Sequence, residues 1–122
     1  MTEKKKLLIA DDDETLHRLY GDSFSEEFEV LHALDGADTL MLAVQHLPDI
    51  ILLDITMPLL DGRTVCRKIK ENPLTKDIKI IMVTGKGEQH DRLLGFEVGA
   101  DDYVEKPATL SYIRRVIRKL GG

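Results

Sequence analysis

The chain has 122 residues, of which 43% are hydrophobic and 32% charged, and its formal net charge is −5. This length suits one domain over residues 1–122, and the acidic balance argues against direct nucleic-acid binding. The apolar runs are far shorter than the ~20 residues of a membrane span, the N-terminus lacks the apolar stretch of a secretory signal, and the single cysteine cannot form an internal disulfide. We therefore expect a cytoplasmic protein without a membrane partner.

Five short apolar runs have the composition of β-strands. In chain order they cover residues 7–10, 28–31, 50–53, 78–83 and 102–105. The first, third and fourth runs are nearly continuous and aliphatic, which is typical of strands covered on both faces of a parallel sheet.

Between and after these runs, apolar residues recur at helical spacing. The five sets, one for each predicted helix, are Leu16, Leu19, Tyr20 and Phe24; Leu40, Leu42, Ala43 and Val44; Val65, Cys66 and Ile69; Leu93, Leu94 and Phe96; and Ile113, Val116, Ile117 and Leu120. Local signals mark the helix ends: Asp13 as an N-cap, Asp-Gly pairs at 35–36 and 61–62, Asn-Pro at 72–73 and Gly99 as a C-cap. The alternation predicts an α/β fold of five βα units, with a parallel sheet covered by helices on both faces.

Polar side chains follow four of the predicted strands. Asp11, Asp12 and Asp13 follow the first run, Asp54 the third, Thr84 the fourth and Lys106-Pro107 the fifth. Each has an ordinary explanation on its own: a capping or turn aspartate, a strand threonine, a surface lysine. Ligands of open α/β sheets bind outside the carboxyl ends of the strands, so the set as a whole predicts a functional site there.

The residue types of this set indicate its chemistry. Clustered carboxylates repel one another unless a cation or protons neutralise them, and no histidine or cysteine is adjacent in sequence. Oxygen ligands alone favour Mg²⁺, or Mn²⁺, over zinc. A carboxylate can also act as a nucleophile and form an aspartyl phosphate, whose oxygens Lys106 and Thr84 would hold.

The chain resembles the receiver domains of bacterial two-component response regulators, including the chemotaxis regulators. The matching segments are residues 8–13, 53–58, 61–62, 83–85, 99–103 and 106–107. The resemblance implies a doubly wound, flavodoxin-like, five-stranded parallel sheet of order 2-1-3-4-5. It also implies a phosphoacceptor signalling switch that is not an enzyme, apart from catalysing its own phosphorylation and dephosphorylation.

The resemblance assigns roles in phosphorylation and metal binding. Asp54 is similar to the family's phosphoacceptor. Asp12 corresponds to the direct carboxylate ligand of Mg²⁺, and Asp11 to a carboxylate that acts mostly through water. Asp54 itself and the backbone carbonyl of Thr56 correspond to the remaining protein ligands.

The resemblance also assigns a switch. Thr84 corresponds to the hydroxyl that turns inward to the phosphoryl group, Lys106 to its ion-pair partner and Tyr103 to the aromatic that moves inward with the threonine. The Lys106–Pro107 peptide bond is expected to be cis. The fourth helix, fifth strand and fifth helix would form the output face, and Gly85 and Gly87, on either side of Lys86, predict a mobile loop.

The expected partners are a histidine kinase or phosphotransfer protein and an unknown downstream protein or effector domain. The alternative function is a metal-dependent phosphatase with an aspartate nucleophile, but that class needs an acid-base aspartate where this chain has Thr56. A flavodoxin-like FMN protein is disfavoured because three aspartates would repel the cofactor's phosphate. The native-looking Met1 favours an N-terminal position, and the sequence leaves open a stand-alone protein or part of a larger regulator.

The four histidines share no motif. His17, His32, His46 and His90 are spread along the chain, and we interpret them as surface or helix residues.

Overall fold

The computed structural model describes residues 4–57, 60–85 and 99–121. Its elements, in chain order, are β1 (Lys5–Ala10), α1 (Glu14–Phe24), β2 (Phe28–Ala33), α2 (Gly36–His46), β3 (Ile50–Asp54), α3 (Gly62–Glu71), β4 (Lys79–Thr84), β5 (Asp102–Glu105) and a C-terminal helix (Leu110–Lys119). The predicted fourth helix, with Leu93, Leu94 and Phe96, lies outside the described residues, as do Lys86, Gly87 and His90.

The five strands form one parallel sheet of order β2-β1-β3-β4-β5, which confirms the predicted fold and strand order. β2 is two residues longer than its apolar run, because His32 and Ala33 continue the ladder beside Ile9 and Ala10 of β1. The polar side chain of His32 interrupts the apolar run in the sequence, but backbone pairing with β1 continues the strand through it.

Two apolar layers cover the sheet. One layer lies beneath α2 and α3 and includes Ala43, Val65, Cys66 and Ile69. The other lies beneath α1 and the C-terminal helix and includes Phe24, Ile113, Val116 and Ile117. Alternate residues of the central strands point into the two layers, as expected for strands buried on both faces.

Two predicted apolar positions are exposed. Leu19 of α1 and Val44 of α2 lie largely in solvent. On α1 the buried side chains are His17 and Phe24, so the buried stripe is rotated away from Leu19. The apolar pattern could not show this, because α1 packs a histidine, rather than a leucine, against the sheet.

The predicted helix starts have aspartate caps. Asp13 accepts hydrogen bonds from the backbone N–H groups of Thr15 and Leu16, and the Asp35 and Asp61 side chains cap α2 and α3 in the same way. These caps satisfy donors that would otherwise lack partners at the first helical turn. None of the helices in the three described ranges is both long enough and apolar enough to cross a membrane.

Candidate functional site at the carboxyl edge of the sheet

The parallel strands bring the predicted site residues to one edge. β1 and β3 pair as far as Ala10 and Leu53, so Asp11, which follows β1, lies beside Asp54, the last residue of β3. Thr84 is the last residue of β4, and Lys106 follows β5 directly. The backbone N–H of Lys106 donates to the Thr84 carbonyl at 2.6 Å, which joins the ends of these two strands.

Three carboxylates form a compact oxygen cluster. Single carboxylate oxygens of Asp11, Asp12 and Asp54 all lie within 4.8 Å of one another. Asp11 and Asp54 are buried, whereas Asp12 is exposed to the solvent from which an ion would arrive. Within the described part of the chain, no histidine or cysteine contributes to the cluster. The donor set therefore fits a hard cation such as Mg²⁺.

Asp13 and Thr56 have separate positions next to this cluster. The Asp13 carboxylate caps α1, and its backbone N–H donates to Asp11 Oδ1 at 2.9 Å. The backbone N–H of Thr56 donates to Asp54 Oδ1 at 3.3 Å, while its side chain is exposed. Metal binding by the Thr56 carbonyl stays a prediction.

Lys106 partly neutralises the carboxylates. Its Nζ lies 3.2 Å from Asp11 Oδ2 and 3.9 Å from Asp54 Oδ2. Burial lowers the pKa of this amine, but the carboxylates of Asp54 and Asp11 raise it more, so it is held above its ordinary value. The Lys106–Pro107 peptide bond is cis, the isomer that the resemblance implies.

Asp54 carries an unusually basic carboxylate. Burial, followed by repulsion from Asp11, raises its pKa from the ordinary 3.8 to about 6, and this rise outweighs the opposing effect of Lys106. One lysine therefore does not compensate three carboxylates. The residual negative charge provides a favourable place for a divalent cation.

The two predicted switch residues are both buried. The Thr84 side chain is 1% exposed, and its Oγ1 has no hydrogen-bond partner among the described residues. Tyr103 is also buried, in the apolar layer beneath α2 and α3. A buried hydroxyl without a partner is uncommon, and this one lies at the strand end next to Lys106.

The backbone at the start of α3 lies very close to the backbone at the Asp54 end of β3. A Cβ added to Gly62, at the start of α3, would lie 2.4 Å from the Asp54 carbonyl oxygen. The Gly62 N–H donates to the Ile55 carbonyl at 2.7 Å. Glycine at the predicted Asp-Gly helix start therefore lets α3 pack directly against the strand that carries Asp54.

The sequence interpretation missed a contact between two histidines. His17 is buried on α1 and His32 is exposed on β2, yet their Nδ1 atoms are 2.7 Å apart. His17 Nε2 lies 2.7 Å from the backbone carbonyl oxygen of Asp11. His32 faces α1 because every second residue of a strand points to the same side. It therefore shares with Phe28 and Val30 the side of the sheet that α1 covers. The strand order combined with this alternation was the signal that could have revealed the pair.

Comparisons with known proteins agree with this fold. A sequence model of the response regulator receiver domain matches residues 7–118. Response regulator PleD of Caulobacter vibrioides is 44% identical over 103 residues, which cover 84% of this chain and 23% of that protein. The chain spans less than half the length of the next curated relatives as well.

Solved structures give the same result. The receiver domain of AraT, a response regulator from Geobacillus stearothermophilus, is 30% identical with a TM-score of 0.85, covering 97% of this chain and 93% of that one. The receiver domain of a Pseudomonas aeruginosa sensor histidine kinase, solved with magnesium in its active-site cleft, has a TM-score of 0.88 at 24% identity and covers 98% of this chain and 100% of that one. At that identity the likeness concerns the fold. The match of the family model to residues 7–118 and the identity to the AraT domain show that the chain belongs to the receiver domains of two-component response regulators.

Proposed function

We propose that this receiver domain is a phosphoacceptor switch in which Asp54 takes a phosphoryl group with the help of Mg²⁺. The observation that carries the proposal is the convergence of three carboxylates within 4.8 Å of one another beside Lys106. Asp54 contributes one of these carboxylates, and its Oδ2 lies 3.9 Å from Lys106 Nζ. The membership of the family and the magnesium in the Pseudomonas structure support the same assignment.

The carboxylates fit a magnesium ion, with manganese as a possible substitute. Asp12 and Asp54 would bind the ion directly, Asp11 mostly through water, and the Thr56 backbone would supply a carbonyl oxygen. When bound, Mg²⁺ would neutralise charge on the carboxylates and on the incoming phosphoryl oxygens.

Asp54 would act as the nucleophile. An oxygen of its ionised carboxylate attacks phosphorus, a new O–P bond forms, and the donor's bond to phosphorus breaks with the electron pair leaving on the donor. Lys106 is already close to this oxygen and would hold one phosphoryl oxygen by charge. Water later attacks the phosphorus, which releases inorganic phosphate and restores the Asp54 carboxylate.

Thr84 and Tyr103 would transmit the phosphorylation of Asp54 to the surface of the domain. The Thr84 hydroxyl, which has no hydrogen-bond partner among the described residues, would turn toward a phosphoryl oxygen and donate a hydrogen bond to it. Movement of Thr84 would change the packing of Tyr103, β5 and the C-terminal helix. Together with the predicted fourth helix, which is outside the described residues, these elements would form the output face.

The proposed partners follow from this chemistry. A histidine kinase or phosphotransfer protein would donate the phosphoryl group, and a downstream protein or effector domain would bind the output face. The chain would act as a switch rather than as an enzyme with an external substrate. The phosphatase alternative has no support, since Thr56 occupies the position where that class needs an acid-base aspartate.

Acetyl phosphate and Mg²⁺ test the proposal directly. We expect intact-mass spectrometry to show one added phosphoryl group on the wild type and none on Asp54→Asn. Asp49→Asn, at the opposite edge of the sheet, is the matched control and should be labelled like the wild type. Equal labelling of Asp54→Asn would refute the assignment.

A further inference from the structure

A short chain of hydrogen bonds links an exposed strand residue to the carboxylate cluster of the site. His32 Nδ1 on β2 is 2.7 Å from His17 Nδ1 on α1, and His17 Nε2 is 2.7 Å from the Asp11 carbonyl oxygen. His17 is 7% exposed, and the two rings meet edge to face with centroids 4.9 Å apart. The proposed phosphoryl-transfer mechanism uses neither histidine.

The chemistry of the rings fixes the direction of these bonds. A carbonyl oxygen can only accept a hydrogen bond. His17 Nε2 must therefore carry a hydrogen and donate a hydrogen bond to the Asp11 carbonyl. In the neutral pair His17 Nδ1 is then an acceptor, and His32 Nδ1–H donates to it.

A hydrogen bond at the Asp11 carbonyl affects the orientation of two predicted metal ligands. It belongs to the planar peptide unit that joins Asp11 to Asp12, so fixing it orients the backbone of both predicted metal-binding carboxylates. The Asp11 N–H donates to the Ala33 carbonyl at 3.1 Å, and Asp11 Oδ1 accepts from Asp13 N–H at 2.9 Å. His17 therefore adds a hydrogen bond at the carbonyl of this residue.

The surroundings are shaped for the histidine pair. A Cβ added to Gly21 of α1 would lie 3.3 Å from His32 Cε1 and 3.4 Å from its Nε2. Glycine at this position lets the imidazole of His32 lie close to the helix and reach His17. The packing leaves His32 oriented even though its outer edge is exposed.

We propose that His17 and His32 are positioning residues that hold the Asp11–Asp12 peptide unit in the geometry required for Mg²⁺ binding. The inference rests on the proposed function, because it concerns the Mg²⁺ site proposed at the same carboxylate cluster. His17 acts on Asp11 directly, and His32 acts by orienting His17. Neither residue touches the metal or the reacting atoms.

The test compares variants that keep or remove the donor to Asp11. In His17→Gln the amide N–H can occupy the place of Nε2–H, whereas His17→Leu fills similar space without a donor. His32→Ala removes the orienting partner at an exposed position and is expected to fold. His46→Ala, on α2, is the control.

Calorimetric titration of each unphosphorylated protein with MgCl₂ gives the affinity, and urea unfolding without Mg²⁺ gives the stability. We expect His17→Leu to weaken Mg²⁺ binding by about 10-fold, at the lower end of what loss of an outer-shell partner costs. His17→Gln should recover most of the affinity, His32→Ala should fall between His17→Leu and the wild type, and His46→Ala should match the wild type.

Two outcomes would overturn the inference while leaving the proposed function intact. One is wild-type Mg²⁺ affinity in both His17→Leu and His32→Ala. The other is equal weakening in His17→Leu and His17→Gln, since packing alone would then explain the loss. A wild type that binds no Mg²⁺ would instead refute the proposed metal site, and the inference would fall with it.

Discussion

Thr84 stands out at the scale of single residues. Its hydroxyl is the one buried side-chain polar atom without a hydrogen-bond partner in the described ranges. Leaving such a group unpaired costs roughly 1–3 kcal/mol of folding free energy. In the proposed mechanism, a phosphoryl oxygen on Asp54 would supply the partner that the described residues do not provide.

Thr84→Val should therefore stabilise the unphosphorylated protein. Removing the unpaired hydroxyl while keeping the side-chain shape should raise the free energy of unfolding by about 1 kcal/mol. Urea unfolding without Mg²⁺ measures the change. Thr75→Val is the matched control: Thr75 is equally buried, but its Oγ1 donates to the Ile69 carbonyl at 2.7 Å, so this variant should lose about 1 kcal/mol. Equal destabilisation of both variants would show that Thr84 has a partner.

Asp54 should make stability depend on pH. Because burial and Asp11 raise its folded-state pKa to about 6, the folded protein favours the protonated form. This contribution is complete below the ordinary value near 3.8 and is lost as the pH rises through about 6. Ionised Asp54 thus weakens the metal-free fold at neutral pH.

Asp54→Asn should be more stable than the wild type at pH 7 by roughly 2 kcal/mol without Mg²⁺, and the difference should vanish near pH 4. Saturating Mg²⁺ should also reduce the difference at pH 7, since the ion stabilises the ionised wild type. Thermal or urea unfolding at several pH values checks both statements. A difference that stays constant from pH 4 to 7 would contradict the raised pKa.

At the scale of elements, one partly buried lysine ties three segments together. Lys70, at the end of α3, donates to Asp101 Oδ2 at 2.9 Å and to the Ile78 carbonyl at 2.7 Å. Asp101 Oδ2 also accepts from the Ile80 N–H at 2.8 Å. The tie joins α3, the start of β4 and the entry to β5 at the edge opposite the site.

Lys70→Met should lower the free energy of unfolding by about 2 kcal/mol, because the Asp101 carboxylate would stay partly buried without its cation. The pair of Lys119 and Asp102, at 3.3 Å, provides the comparison, because its carboxylate is about as buried as that of Asp101 whereas the Lys119 side chain is 72% exposed, against 18% for Lys70. Lys119→Met should cost under about 0.5 kcal/mol, as is usual for surface pairs. Chemical denaturation of both variants measures the contrast, and equal costs would contradict the structural role of Lys70.

The elements themselves were largely predictable, because their signals are local. An aspartate three residues before a helical N–H, or an aliphatic run of strand length, needs only its neighbours to be recognised. The predictions went wrong where a distant partner decides the outcome. His32 belongs to β2 because β1 pairs with it, and Leu19 is exposed because His17 takes the buried face.

At the scale of the whole molecule, the same division applies to the site. The strand-end positions of Asp54, Thr84 and Lys106 follow from the repeated βα pattern, which is why the site residues could be proposed from sequence. Recognising the partners requires the strand order as well: Lys106 is closer to Asp11 than to Asp54, and the His17–His32 pair joins residues 15 apart. These contacts depend on how the layers pack, and no local pattern encodes them.

The most direct measurement is to locate the phosphoryl group on the chain. The wild type would be treated with acetyl phosphate and Mg²⁺, its acyl phosphate reduced with borohydride, and the digested peptides sequenced by mass spectrometry. The account predicts reduction at Asp54 alone, and none when the metal is chelated beforehand. Reduction at Asp11 or Asp12, or equal labelling of Asp54 without metal, would contradict it.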